Sequence, residues 1–239
     1  MKYLSILLCI VYLSYIHSYV FPTVPKCKLT DSVCLKTSFQ KALPFFLDGI
    51  PELGIEKMDP LLIEEKEYEI GGLKFLLKDT KMTGMKTLIF DKVSFDLQNK
   101  IVNYKYHVAT SSMIGKYEAG GKILLLPIQG NGLFTLELRN VEVDSKLHFD
   151  ILKKDKKSYL IPQKHDLNFD VKDYAHYNLT NLFNGNKKLS EPVLQFANEN
   201  WRLISNEIGK PVIDQTALQI IDNIKKFFSN SPLEDITID

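Results

Sequence analysis

The chain has 239 residues, 45% of them hydrophobic and 25% charged, a composition that builds a sizeable core and excludes a disordered polymer. Its 30 lysines and arginines are matched by 29 aspartates and glutamates. That balance gives no electrostatic footprint for nucleic acid and no polybasic run suited to an anionic membrane.

The first element is a leader. Lys2 precedes Tyr3–Ile16, which carries no charge, and Ser18 offers a small residue for cleavage. Residues 1–18 are therefore expected to be a secretory signal peptide. The apolar stretch falls short of the ~20 residues of a spanning helix and no other stretch comes near it, so stable membrane insertion is not expected. Loss of Lys2 leaves 29 charges of each sign. Cys9 leaves as well, and Cys27 and Cys34 remain as a pair expected to form a disulfide. The loop it closes is short, so the clip contributes about 2–3 kcal/mol. Two thiols without neighbouring histidines do not make a tetrahedral metal site.

Next comes a helix. Thr30, Asp31 or Ser32 can cap it, and Leu35, Phe39, Ala42, Leu43, Phe46 and Leu47 recur at helical spacing. Pro44 is expected to bend or stop it. Residues 48–55, with two glycines and Pro51, read as a defined turn.

From about residue 66 to 178 the period becomes two. Val93, Phe95 and Leu97 alternate with polar residues, as do Val102, Tyr104, Tyr106 and Val108, then Leu147, Phe149 and Ile151, then Leu167, Phe169 and Val171. This is the pattern of antiparallel strands with one wet face and one buried face. Phe134, Leu136 and Leu138 fall on even positions but Val141 and Val143 on odd ones, so a β-bulge is expected at Arg139-Asn140. Gly71-Gly72, Gly120-Gly121 and Gln129-Gly130-Asn131-Gly132 read as turns, and the lysine run 153–157 as a solvated hairpin tip. Asn178-Leu179-Thr180 is a candidate glycosylation acceptor, with an unmodified asparagine as the alternative.

The tail is helical. One apolar stripe runs through Leu194, Ala197, Trp201, Ile204 and Ile208, and a second through Ile213, Ala217, Ile220, Ile221, Ile224, Phe227 and Phe228. Gly209-Lys210-Pro211 is expected to break or kink the element. A continuous helix of that extent would reach about 50 Å, a length that suits a sheet wrapped around it.

No motif for chemistry stands out. His107, His148, His165 and His176 form no metal-ligand pair, and His107 and His148 fall on the polar phase of their strands. There is no G-x-S-x-G elbow and no free thiol in the mature chain. Glu64, Glu65, Glu67 and Glu69 read as a solvated edge, and Gly130-Asn131-Gly132 lacks the context of a dinucleotide site. No catalytic residue, metal or cofactor is expected.

Several blocks carry a resemblance. Cys27 and Cys34 are followed by Gly49-Ile50-Pro51-Glu52-Leu53-Gly54-Ile55 and Asp59-Pro60-Leu61. Gly121-Lys122-Ile123-Leu124-Leu125-Leu126-Pro127-Ile128 comes next, then Asn181-Leu182-Phe183-Asn184-Gly185-Asn186 and Phe196-Ala197-Asn198-Glu199-Asn200-Trp201. In order and spacing these resemble the takeout / juvenile hormone-binding protein family of insects across essentially the whole mature chain. The resemblance implies an α+β tubular lipid-binding (TULIP-like) fold. In it residues 19–239 form one domain, with a highly curved antiparallel sheet around a long C-terminal helix and an internal apolar tunnel. Haemolymph juvenile hormone carriers of this kind generally have a second disulfide; here no cysteine follows Cys34, so the chain is closer to the takeout branch and juvenile hormone is not the expected ligand.

The implied function is a secreted, extracellular carrier of a small lipophile such as a terpenoid or fatty acid, with no enzymatic activity and no protein partner specified. Phe39, Leu43, Phe46, Phe95, Tyr104, Tyr106, Phe149, Trp201, Ile204 and Ile221 are the candidate tunnel lining, with the two tyrosines supplying polar selectivity. The alternatives are a secreted interaction protein whose interior is filled and a lipid-ester hydrolase.

Overall fold

A computed structural model describes residues 24–123 and 126–238, so the expected leader lies outside the described residues. Helix α1 spans Ser32–Asp48 and is capped by Asp31, whose carboxylate accepts from the N–H groups of Val33 and Cys34. Its apolar face buries Leu35, Leu43 and Leu47. Contrary to expectation the helix runs through Pro44. The proline lies within four residues of the end, removes one backbone bond and points its ring to solvent. The turn ends the helix at Gly49 (φ 83°), and Ile50 and Ile55 bridge across it. The Cys27–Cys34 disulfide is formed and ties the incoming chain to the first turn of α1.

The strands are β1 (Leu61–Ile70), β2 (Leu73–Thr83), β3 (Leu88–Asp96), β4 (Ile101–Ile123), β5 (Leu126–Lys154) and β6 (Lys157–Leu179). All pairings are antiparallel, in the order β1-β2-β4-β5-β6, and β3 pairs the first half of β4 where β2 does not reach. Strand structure begins at Leu61, earlier than the alternation indicated. Gly71-Gly72 and the lysine tip at Asp155-Lys156 are turns with positive φ, as expected. The other two glycine groups are not turns. Gly120-Gly121 lies inside β4 and Gln129–Gly132 inside β5. Glycine serves close backbone approach there: a Cβ on Gly121 would fall 2.2 Å from the Gly72 carbonyl oxygen, and one on Gly132 2.5 Å from that of Thr180.

The phase flip in β5 is real. Phe134 is buried on the even phase, Val141, Val143, Ser145, Leu147 and Phe149 on the odd one, and the β5–β6 register shifts between Arg139 and Val141 with Asn140 at φ 53°. Leu97, in the turn just past β3, and Ile151, near the end of β5, stay exposed despite their phase.

Helix α2 (Lys187–Glu199) precedes α3 (Trp201–Asn230) and a short α4 (Leu233–Ile236). The helical break falls at Asn200, whose carboxamide donates to the Phe196 carbonyl, and not at Gly209–Pro211, which α3 passes through. Gly209 presents its bare backbone to the Phe169 ring, so packing holds the helix together across the missing proline N–H. With 30 residues α3 is about 45 Å long. It packs mainly on β6 and also touches β1, and these are the two ends of the sheet order. The sheet is therefore a curled half-barrel around α3.

Candidate functional site

The inner face is organised by cross-strand register. Val102, Leu147 and His165 form one row across β4, β5 and β6; Tyr104, Ser145 and Leu167 form the next; Tyr106, Val143 and Phe169 the third. The outward phase of these strands carries the ion pairs Lys105–Asp144 and Lys172–Glu142, and Lys100, in the turn before β4, pairs with Asp150. Such exposed pairs add little stability but keep the outer face wet.

Within these rows the interior is not purely apolar. The Tyr104 hydroxyl lies 2.9 Å from His165 Nε2, and the Ser145 hydroxyl contacts the same nitrogen. Ser145 is 1% exposed. One ring nitrogen serves one hydroxyl at a time; the Asp166 carbonyl, 3.4 Å from Ser145 Oγ, offers the second acceptor. Burial pushes the Tyr104 phenol up to about 12 and also raises that of Tyr106, whose ring stacks parallel to Tyr104 at 6.2 Å. Burial lowers the His165 imidazole, so it is neutral at physiological pH. Ser145 and His165 are the residue types of a hydrolytic dyad, but among the described residues no carboxylate is bonded to the other ring nitrogen, so the orienting acid of a triad is missing. The sequence reading weighed His165 only as a metal ligand and did not single out Ser145, although each falls on the inward phase of its strand.

Three apolar clusters follow α3 along its length. Phe39, Leu43, Phe46, Tyr104, Tyr106 and Trp201 belong to or border the first. There Phe39 meets Phe90 edge-on at 5.6 Å, Phe90 meets Tyr106 at 6.1 Å, and Phe46 meets Phe227 at 6.0 Å. Phe149 and Ile221 are in the third, where Phe95 packs on Phe149 at 6.1 Å. Ile204 stands apart in the second. The ten residues are thus spread along the helix axis and do not converge on one point. Trp201 is half-buried, its ring covered by the Arg202 guanidinium at 4.2 Å. Several inward side chains, Tyr104, Tyr106, Phe95, Ile208, Val212 and Ile220 among them, keep partial exposure.

Elsewhere, His107 and His148 lie opposite Asp91 and Asp166 at 3.0 and 3.1 Å on the outward phase. Asn178 is exposed on β6. Two surface grooves of about 620 and about 250 Å³ cross the strands, the larger over Lys74, Glu118, Gly120 and Gln129 and the smaller over Asp91, Lys105, Glu142 and Asp170; neither is lined by a residue of α3. Among the described residues no three His, Cys, Asp or Glu side chains are placed to hold a metal ion, and no helix is long and apolar enough to cross a membrane.

The profile of the haemolymph juvenile hormone binding protein family matches residues 5–238. The crystal structure of Epiphyas postvittana Takeout 1 superposes with a TM-score of 0.86 at 40% identity, covering 90% of this chain and 99% of that one. The circadian clock-controlled protein daywake is 24% identical over 234 residues in Drosophila yakuba and 25% over 228 in Drosophila melanogaster, in both cases covering 90% of this chain and 87% of the relative.

Proposed function

Because the chain belongs to the haemolymph juvenile hormone binding protein family, we propose that it is a secreted carrier that takes up a small lipophile between α3 and the curled sheet. One observation carries the reading. Inward aromatic and aliphatic side chains beside α3 pack against the clusters without being closed over by one another, and an interior meant to be solid has no reason to leave them so. Burying ~300 Å² of ligand apolar surface there would contribute about 7–8 kcal/mol, enough for micromolar affinity before association costs. The mature domain is residues 19–239, released by cleavage of the leader, and the disulfide suits that oxidising route. Function rests on binding and release, with no chemical step.

Titration with N-phenyl-1-naphthylamine tests this. A carrier gives saturable enhancement of probe fluorescence with one site per chain and micromolar affinity, reversed by long-chain lipids. Absence of saturable binding by protein that has been stripped of lipid refutes it.

A further inference from the structure

Asn178-Leu179-Thr180 is the only N-x-S/T tripeptide of the chain, and binding a lipophile on the inner face makes no use of it. β6 places Asn178 on the outward phase, opposite Thr135 of β5, which in turn stands opposite Ile114 of β4. The Asn178 carboxamide is exposed and bonds no described residue. Asn181 shows the contrast, for its amide nitrogen donates to the Asn131 carbonyl at 3.0 Å. Asn198 and Asn223 are likewise committed to backbone. The Asn178 nitrogen is therefore free to carry a substituent that points away from the sheet, and no native contact is lost when it does.

Thr180 is placed differently. Its hydroxyl accepts the Leu133 N–H at 2.8 Å and lies 3.3 Å from the Leu133 carbonyl, to which the Thr180 N–H also donates at 2.9 Å. The hydroxyl that completes the acceptor motif is thus occupied in the fold, so modification has to precede the pairing of β6 with β5. The finished outer face then has to accommodate what was added, and it is suited to a sugar. Ile114 and Leu133 are each more than half exposed. Leu133 stands diagonal to Asn178 across one strand pair and to Ile114 across the next, at the roughly 7–8 Å of diagonal sheet neighbours. Tyr174 and His176, outward on the strand of Asn178 itself, stack parallel at 6.0 Å. Adjoining exposed apolar side chains call for a cover. A sugar ring supplies one, because its C–H face packs on aliphatic and aromatic groups while its hydroxyls stay in water.

We propose that Asn178 carries an N-linked oligosaccharide whose first sugars lie over Leu133 and Ile114, on the face of the sheet opposite to the one that takes the lipophile. The proposal rests on the secreted part of the carrier reading, since the sugar donor is met on that route. Transfer joins Asn178 Nδ2 to the anomeric carbon of an oligosaccharide carried on a polyprenyl diphosphate. The bond from that carbon to the diphosphate oxygen breaks, the diphosphate leaves with the electron pair, and the amide gives up one proton. The sugar shields apolar surface that a second molecule would otherwise meet, and it leaves the inner face and α3 untouched.

The modification is tested by the intact mass of the full chain, expressed in insect cells with its leader and collected from the medium. The native chain should exceed Asn178→Gln by the mass of one oligosaccharide, and the excess should disappear on treatment with peptide N-glycosidase A. Hydroxyl-radical footprinting tests the cover. Stripping the sugar from the folded protein should raise labelling of Leu133 and Ile114 roughly twofold or more and leave Leu218, exposed on α3, unchanged. Enzymatic stripping keeps both measurements readable even if Asn178→Gln does not fold. A secreted native chain without added mass overturns the modification and leaves the carrier reading standing. Equal labelling of Leu133 and Ile114 before and after stripping overturns the cover. A chain retained in the cells without added mass removes the modification and the secreted reading together.

Discussion

The Asn223 carboxamide holds both backbone groups of Glu56: its oxygen accepts the Glu56 N–H at 3.2 Å and its nitrogen donates to the Glu56 carbonyl at 3.1 Å. Asn198 does the same for Tyr177, at 2.7 and 3.0 Å, and Gln40 bridges the Leu88 carbonyl and the Phe90 N–H at 2.9 and 2.8 Å. Each of the three long helices is thus pinned by one amide side chain that imitates a neighbouring strand. For α1 and α2 the backbone so covered belongs to β3 and β6, which lack a strand partner on that side.

Asn223 is 1% exposed, so removing its amide empties a buried position and leaves the Glu56 N–H and carbonyl without the partner that holds them. Asn223→Ala should lower stability by about 2–4 kcal/mol, measured by urea unfolding. A loss below half a kcal/mol would show that water replaces the clamp.

Neighbouring glycines in β4 should respond oppositely. Gly121 has φ 118° and backbone where its Cβ would go; Gly120 has no atom within 4 Å of that position. Gly121→Ala is expected to cost about 3 kcal/mol or more and Gly120→Ala less than about 1 kcal/mol, compared by thermal melts. Similar costs would contradict the close approach of β4 to the Gly72 turn.

Opening the Cys27–Cys34 loop by Cys27→Ser with Cys34→Ser should cost about 2–3 kcal/mol, since only a short loop is released in the unfolded chain. Equal unfolding midpoints for oxidised and double-serine protein would mean that the clip contributes nothing.

Stability should begin to fall on mild acidification. Burial lowers the His165 imidazole from its ordinary value of 6.5, so the unfolded chain takes up the proton first. The contribution is complete above that ordinary value and is lost as pH falls through it towards the lower folded value. A second loss belongs to carboxylates such as Asp48, held low by Lys86, and Asp166, held low by Lys164, and appears only below about pH 4. In His165→Gln the first step should vanish and the second remain, as followed by unfolding at several pH values. Persistence of the first step would assign it to another group.

Much of the fold was legible. Two-residue alternation identified the inner faces of β3 to β6, and the change of phase at Asn140 located the bulge. The resemblance supplied the wrap around α3, which periodicity alone does not determine. What misled was local punctuation. Pro44 and Pro211 each remove one backbone bond, a cost that tertiary packing outweighs, and glycines in β4 and β5 answer to neighbouring backbone that no local window contains. The candidate site was less legible for the same reason. Tyr104 and Tyr106 announce themselves by alternation, but Ser145 and His165 gain meaning only when β5 and β6 pair in register.

The central claim is that the space between α3 and the sheet holds a lipophile. Native mass spectrometry of the chain secreted by insect cells, followed by solvent extraction, tests it most directly. The account predicts a fraction heavier than the bare chain by the mass of one small molecule, with that molecule recovered in the extract. Protein that carries nothing and takes up no lipid on subsequent incubation would contradict it.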